Sequence, residues 1–112
     1  MNFYDKVHGL VRELKDTPEY QNYIMLKEKV KKDEELSAKI KDFKEAQRKE
    51  QMKYINGEQM KEETKQELQQ KYSLIIQSPL AVEFFQAEIK LDVLLADLQK
   101  ILSEGLKDVL EF

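Results

Sequence analysis

The apolar residues of this chain recur at helical spacing and are mirrored about one point. Asn56 and Gly57 stand between two charged stretches, and folding the chain back there aligns their apolar positions. The predicted pairs are Tyr54 with Met60, Gln47 with Leu68, Phe43 with Tyr72, and Ile40 with Ile75. Residues three or four apart share one face of a helix, so the pattern predicts a long antiparallel helical hairpin over about 34–77.

Helix start and stop signals divide the chain into five predicted helices. Thr17-Pro18 and Ser78-Pro79 each combine an N-cap residue with a proline suited to the first helical position. Asp33 is a third N-cap, and Gly57 can adopt the left-handed conformation that ends a helix. The predicted helices cover about 2–15, 18–32, 34–54, 58–77 and 79–104, in a single all-α domain of residues 1–112.

The predicted hairpin is apolar at its root and becomes polar toward its tip. The root residues are Ile40, Phe43, Tyr72 and Ile75. Beyond them, the outgoing helix carries Gln47, Glu50 and Gln51 at the same spacing. We therefore expect the root to be packed and the tip to be a solvated spacer.

The last predicted helix, residues 79–104, is long, apolar and has two apolar faces. One near-heptad stripe consists of Leu80, Phe84, Ala87, Leu91, Leu94, Leu98 and Ile101. A second face contains Val82, Phe85, Ile89 and Val93. Because a surface helix of a monomer needs only one apolar stripe, the second face predicts self-association, with a symmetric dimer favoured. Complete coverage by the chain's other helices is the alternative. Leu106, Val109, Leu110 and Phe112 follow as an amphipathic tail.

Composition agrees with a helical protein of the reducing cytoplasm. The 3 glycines and 2 prolines are few for a sheet with tight turns. The absence of Cys excludes disulfides, thiolate metal sites and Cys-ligated iron–sulfur clusters. No run approaches the roughly 20 apolar residues of a membrane span, and the N-terminus has no signal-like apolar segment. We therefore expect a cytoplasmic protein that has no membrane partner.

The sequence offers little material for catalysis. His8 is the only histidine, and acid–base chemistry needs a second group in an enclosed site. A helical di-iron site needs a histidine on each of two helices. The isolated glycines Gly9, Gly57 and Gly105 form no phosphate-binding loop. The prediction is a protein without enzyme activity, with no catalytic, cofactor-binding or metal-ligating residues.

The helix over residues 39–53 leans basic, which raises nucleic-acid binding as an alternative function. The basic residues are Lys39, Lys41, Lys44, Arg48, Lys49 and Lys53. Asp42, Glu45 and Glu50 interleave with them, and no exposed aromatic platform is expected. Acid–base pairs at helical spacing favour a solvated, salt-bridged face over a nucleic-acid interface.

Two stretches resemble a known family. Residues 33–47 are similar to the signature of the YlbF/YmcA family of small helical proteins from Gram-positive bacteria: Asp-Glu-Glu-Leu-Ser-Ala-Lys-Ile-Lys-Asp-Phe-Lys-Glu-Ala-Gln. The run Pro79-Leu80-Ala81-Val82-Glu83-Phe84, continuing through Ala87 and Leu91 to Leu94-Leu95, resembles the family's C-terminal helix. The resemblance covers roughly residues 2–104 and is closest to the YheA-like branch.

The resemblance implies an all-helical, oligomer-forming cytoplasmic protein without enzyme activity. Better-known relatives are regulators whose complex assists RNA processing by ribonuclease Y and affects competence, biofilm formation and sporulation. Some relatives hold an iron–sulfur cluster through Cys, and this cofactor does not carry over to a chain without Cys. The expected partners are a second copy and an unidentified protein.

Overall fold

The computed structural model describes residues 2–112, which form six helices. They are α1 (Phe3–Lys15), α2 (Pro18–Lys32), α3 (Glu34–Ile55), α4 (Glu62–Ile75), α5 (Pro79–Gly105) and α6 (Lys107–Leu110). No strand occurs within residues 2–112. The all-α prediction is confirmed, and each of the five predicted helices is present. The sixth, α6, is a single turn within the amphipathic tail.

Side-chain caps begin the helices where the sequence places them. The Thr17 hydroxyl accepts a hydrogen bond from the backbone N–H of Tyr20 at 3.2 Å. The Asp33 carboxylate accepts one from Leu36 N–H at 3.1 Å, and a Ser78–Ala81 bond of 3.3 Å repeats the arrangement. Each bond satisfies one of the N–H groups that lack a partner within the helix.

Gly57 ends α3 through backbone geometry. It has a φ of 85°, in the left-handed region. Its N–H donates to the Tyr54 carbonyl at 3.0 Å, and the Glu58 N–H donates to the Lys53 carbonyl at 2.9 Å. This pair of bonds is the Schellman motif, which satisfies the last carbonyls of a helix and turns the chain away.

The fourth helix is shorter than the sequence pattern predicts. It begins at Glu62, whereas the expected start is 58, and Lys61 caps it without a side-chain hydrogen bond. After the turn at Gly57, the chain must cross to the returning helix, so residues 58–61 form the connection. The prediction of helix for these residues is wrong because it counts helical spacing and omits the length of the turn.

The described chain divides into two compact units, and each has its own core. The terminal unit comprises the residues up to Leu26 together with Phe84–Phe112, and the hairpin unit comprises Lys27–Glu83. In the terminal unit the buried apolar residues are Leu26, Phe84 and Ala87. In the hairpin unit they are Val30, Leu36, Ile40, Phe43, Ile75 and Ala81. Whether the chain behaves as one domain stays a prediction.

Truncating the most buried large side chain should destabilise the hairpin unit. Ile75 is 1% exposed, so Ile75→Ala should lower the free energy of unfolding by about 2–5 kcal/mol through lost burial and a cavity. Its neighbour Leu74 is 55% exposed, and Leu74→Ala should cost about 1 kcal/mol or less. Urea denaturation at fixed protein concentration measures both. Equal losses would contradict this placement of the core.

Gly57→Ala tests the backbone conformation that ends α3. A Cβ at Gly57 meets no atom within 4 Å, so the cost comes from the positive φ alone. We expect a loss of about 1–2 kcal/mol in thermal or urea unfolding. Gly105→Ala is the matched control, because its Cβ also enters open space but its φ is not positive. This control should stabilise α5 by up to about 1 kcal/mol.

Candidate interaction surfaces

The root of the hairpin is formed where α3 and α4 pack together, in the most extensive helix–helix contact of the described chain. Ile40, Phe43 and Ile75 are buried there. The Tyr72 ring is partly exposed and lies against Phe43, with ring centroids 5.6 Å apart. Lys71 Nζ adds an ion pair to Asp42 Oδ2 at 3.0 Å across the two helices. These contacts hold the two helices together at the root of the hairpin.

An apolar cleft of about 460 Å³ lies at the hairpin tip, where the sequence predicts a solvated spacer. Its lining includes Gln47, Gln51, Tyr54, Ile55, Met60 and Leu68. A second cleft of about 420 Å³ shares Gln47 and Leu68 and continues toward Phe43 and Tyr72. We call the two together the hairpin groove. Volumes of this size are typical of binding sites.

Helix α1 carries an apolar stripe that the chain itself does not bury. Phe3, Val7 and Leu10 follow the i, i+4, i+7 spacing of one face, and all three are exposed. Val11 is exposed as well, and no residue of α1 is buried. An amphipathic helix normally derives its stability from covering such a stripe. The stripe is therefore a candidate surface for a partner.

The predicted self-association face of α5 contains residues of unequal exposure. Val82 and Phe85 are half-buried, and Val82 belongs to the hairpin unit. Ile89 is 62% exposed and Val93 55% exposed, both in the terminal unit. The structure therefore leaves the later half of this face open. The terminal unit therefore carries two exposed apolar stretches, which are the α1 stripe and the pair Ile89 and Val93.

The tail segment, defined as residues 101–112, is also apolar and exposed. Ile101, Leu102, Leu106, Val109 and Leu110 all present side chains to solvent. Leu106 N–H donates to the Leu102 carbonyl at 3.0 Å, and Leu110 N–H donates to the Leu106 carbonyl at 3.0 Å. Leu106 nevertheless has a φ of −110° and a ψ of 21°, so it separates α5, which ends at Gly105, from the single turn α6.

The basic-leaning face of α3 is occupied by ion pairs. Lys39 pairs with Glu35 at 3.2 Å, and Lys53 pairs with Glu50 at 3.4 Å. The Arg48 guanidinium donates to the Glu45 carboxylate, and this bond lowers the pKa of Glu45. These pairs are typical of a solvated helix face. The nucleic-acid alternative stays a prediction.

Residues that could support catalysis or bind a metal ion are few in the described part of the chain. His8 lies exposed on α1. Within residues 2–112, no three His, Cys, Asp or Glu side chains come together in a way that could hold a metal ion. No helix in this range has the length and apolarity needed to cross a bilayer.

Sequence reasoning overlooked the hairpin groove and gave no role to the α1 stripe. The signal for the groove is present in Tyr54, Ile55 and Met60, which flank the Asn56-Gly57 turn. The polar residues Gln47, Glu50 and Gln51 at the preceding helical positions led instead to the prediction of a solvated tip. For α1, the periodic pattern predicts the helix correctly but does not say whether its own chain covers the stripe.

Tyr23 is the group whose titration bears on the stability of the terminal unit. Its ring stacks on Phe84 with centroids 5.4 Å apart. Burial raises the pKa of the Tyr23 phenol, and the nearby carboxylates Glu88 and Asp92 raise it further. A phenolate beside two carboxylates would be repelled, so the folded state favours the neutral phenol.

The raised pKa predicts an alkaline loss of stability. The unfolded chain ionises near the ordinary value of 10.0, before the folded chain does. The contribution of Tyr23 is therefore complete below that pH and is lost as the pH rises through the folded-state pKa. Tyr23→Phe should flatten the decline in urea midpoint above about pH 10. Tyr54→Phe, at the exposed tip, serves as the control and should keep the wild-type decline.

Comparison with known proteins identifies relatives along nearly the whole chain. Residues 3–107 match the family model described as control of competence regulator ComK, YlbF/YmcA. A UPF0342 protein of Halothermothrix orenii is 36% identical, over 96% of this chain and 91% of its own length. A UPF0342 protein of Clostridium tetani is 35% identical, over 100% of this chain and 97% of its own length. A UPF0342 protein of Caldicellulosiruptor bescii is 34% identical, over 95% of this chain and 89% of its own length.

These matches confirm the family resemblance drawn from residues 33–47 and from the start of α5. The YheA-like branch is not distinguished by them and stays a prediction. The family is linked to the regulation of competence. Neither the family model nor the UPF0342 relatives give a sign of enzyme activity. With its matching helical pattern and a family match spanning residues 3–107, the chain belongs to the YlbF/YmcA family.

Proposed function

We propose that this protein is a non-enzymatic cytoplasmic regulator that acts as a homodimeric adaptor. The single observation that carries this proposal is the uncovered apolar surface of the terminal unit. It consists of the α1 stripe and the exposed residues Ile89 and Val93 of α5. A second copy is the proposed cover for this surface, since a symmetric pair places the same apolar patch on both sides of the interface.

The residues that a second copy would cover are well exposed. In α1, Phe3 is 71% exposed, and Val7, Leu10 and Val11 are 41%, 42% and 42% exposed. In α5, Ile89 is 62% exposed and Val93 is 55% exposed. A standard interface buries roughly 800 Å² on each partner, which is the area that these residues and their neighbours would have to supply.

The energetics permit association through these residues. Burying a large apolar side chain contributes about 1.5–3 kcal/mol, and roughly half of that when it is half-exposed beforehand. Two-fold symmetry counts each residue twice, so α1 and α5 together supply on the order of ten contributing side chains. At about 0.75–1.5 kcal/mol each, they sum to about 8–15 kcal/mol, which is of the same size as the roughly 4–15 kcal/mol that association costs in lost freedom of motion.

A regulator without catalytic groups acts by holding other molecules. The family link to competence regulation supports such a role for this chain. By family resemblance, the processes to which it contributes are RNA processing, competence or biofilm control. Under this proposal, the terminal unit joins two copies, and the hairpin units remain available for binding.

Charge placed on the proposed interface should weaken self-association. In a variant with Ile89→Asp and Val93→Asp, each interface would bury unpaired carboxylates. Sedimentation analysis should show a dissociation constant at least about a hundredfold higher, equivalent to about 2.7 kcal/mol. Helix content, measured by circular dichroism, should stay the same.

The matched control carries the same added charge elsewhere. Gln66→Asp with Gln99→Asp also changes two exposed residues and adds two negative charges. This control should associate as the wild type does. A wild-type chain that remains monomeric at high micromolar concentration would refute the proposed function. Equal association of the interface variant and the control would refute it as well.

A further inference from the structure

We propose that Asn56 is a site of spontaneous covalent modification, in which the chain's own backbone converts this residue to aspartate and isoaspartate. The inference concerns the turn between α3 and α4 and does not depend on self-association. The nucleophile is the backbone nitrogen of Gly57, and the group that it displaces is the side-chain amide of Asn56. The only co-reactant is water, so the conversion proceeds in the purified chain.

The residue that follows Asn56 sets it apart from the other asparagines of the chain. The sequence contains Asn2, Asn22 and Asn56, and only Asn56 is followed by glycine. A side chain on the following residue obstructs the approach of its backbone nitrogen to the asparagine amide, and glycine has none. Phe3 and Tyr23 supply that obstruction at the other two positions. Asn56 is also exposed, so water and hydroxide reach it.

The reaction closes a five-membered ring and then opens it. The Gly57 nitrogen loses its proton to hydroxide and bonds to Cγ of Asn56, while the bond from Cγ to Nδ2 breaks and the amide leaves as ammonia. Water then adds to one of the two carbonyl carbons of the ring. Opening at Cγ gives aspartate, and opening at the main-chain carbonyl gives isoaspartate. Each conversion consumes one water and releases one ammonia, and nothing is oxidised or reduced.

The folded turn holds the reacting atoms apart. The ψ of Asn56 is 9°, so the Gly57 nitrogen nearly eclipses the Asn56 backbone nitrogen and lies away from Cβ. Ring closure requires this nitrogen and Cβ to lie on the same side of the Cα–C bond, so ψ must first rotate. The Gly57 N–H is also engaged, because it donates to the Tyr54 carbonyl at 3.0 Å. The reaction therefore proceeds from an opened turn.

The turn lies in the part of the hairpin unit that opens most readily. All residues from 51 to 63 are exposed, and a Cβ at Gly57 would meet no atom within 4 Å. Segments with few buried apolar contacts open at low free energy. The root is different, because Ile40, Phe43 and Ile75 are buried there. Opening at the turn therefore does not require the root to separate.

Either product weakens the end of α3. An aspartate carboxylate at position 56 adds negative charge at the C-terminal end of a helix, where the dipole is already negative. An isoaspartyl linkage adds a methylene to the main chain, so the bonds from Gly57 N–H to Tyr54 and from Glu58 N–H to Lys53 lose their spacing. Tyr54 and Met60 lie on opposite sides of this turn and line the cleft at the tip. The modification thus alters the hairpin groove at the tip.

Peptide mass spectrometry of the full-length chain tests the reaction. The protein is incubated at mildly alkaline pH, which speeds loss of the Gly57 proton, and is then digested with trypsin. Cleavage after Lys53 and Lys61 releases residues 54–61, which contain Asn56. We expect this peptide to gain the mass of OH in place of NH₂ and to separate into aspartyl and isoaspartyl forms. The peptides that contain Asn2 and Asn22 are internal controls and should keep their amides, and an unincubated digest corrects for conversion during digestion.

Repeating the incubation in guanidinium chloride tests the protection by the turn. The unfolded chain should convert Asn56 about tenfold faster than the folded chain, a ratio equivalent to about 1.4 kcal/mol. Asn56→Gln is the matched control, because the longer side chain would have to close a six-membered ring. It should keep its amide in the folded and in the unfolded chain.

Hydrogen exchange measures what the conversion does to the turn. In the converted chain, the N–H groups of Gly57 and Glu58 should exchange about tenfold faster than in the fresh chain, because the closed turn no longer protects them. The Ile76 N–H donates to the Tyr72 carbonyl at 3.0 Å and should keep its exchange rate. Incubated Asn56→Gln should show no change at any of these groups.

Four results would contradict the proposal. Conversion of Asn56 no faster than that of Asn2 and Asn22 would show that Gly57 confers no reactivity. Equal rates in the folded and unfolded chains would show that the turn gives no protection. Aspartate without isoaspartate would indicate direct attack by water instead of ring closure by Gly57. Unchanged exchange at Glu58 after conversion would refute the effect on the turn.

Discussion

The packing of α3 against α4 is the contact on which the hairpin unit depends. Ile75 is almost completely enclosed, and the Phe43 and Tyr72 rings lie with their centroids 5.6 Å apart across the two helices. The two helices can meet only because Gly57 takes a left-handed conformation and reverses the chain. The groove is a consequence of this arrangement. Where the apolar stripe thins to glutamines, the helices leave space between them, and Tyr54 and Met60 border it.

A second constraint is the shortage of material to cover apolar surface. The six helices within residues 2–112 include few elements that could surround a long apolar α5 and an amphipathic α1. The result is a chain with small cores and extensive exposed stripes. The proposed role of this protein is to bind partners, and these exposed stripes are the surfaces proposed to bind them. The proposed dimer interface uses only the part of this surface that belongs to the terminal unit.

Local signals in the sequence predict the helices well and the site only in part. The caps at Thr17, Asp33 and Ser78 form as expected, because each depends on a hydrogen bond between residues three apart. The start of α4 is missed because the turn needs several residues that themselves keep helical spacing. The groove is missed because a periodic pattern tells which face is apolar and does not tell how closely two faces approach.

The sequence by itself determined the all-α class, the reversal at Asn56-Gly57 and the family to which the chain belongs. The first two rest on short-range chemistry, namely capping, backbone conformation and helical periodicity. The family follows from the similarity of the sequence over residues 3–107. Only the tertiary structure decided which apolar residues are covered. Ile75 and Leu74 are neighbours of similar hydrophobicity, yet one is enclosed and the other is exposed. The same holds for the α1 stripe and for Ile89 and Val93, because burial depends on which distant elements are present to cover each face.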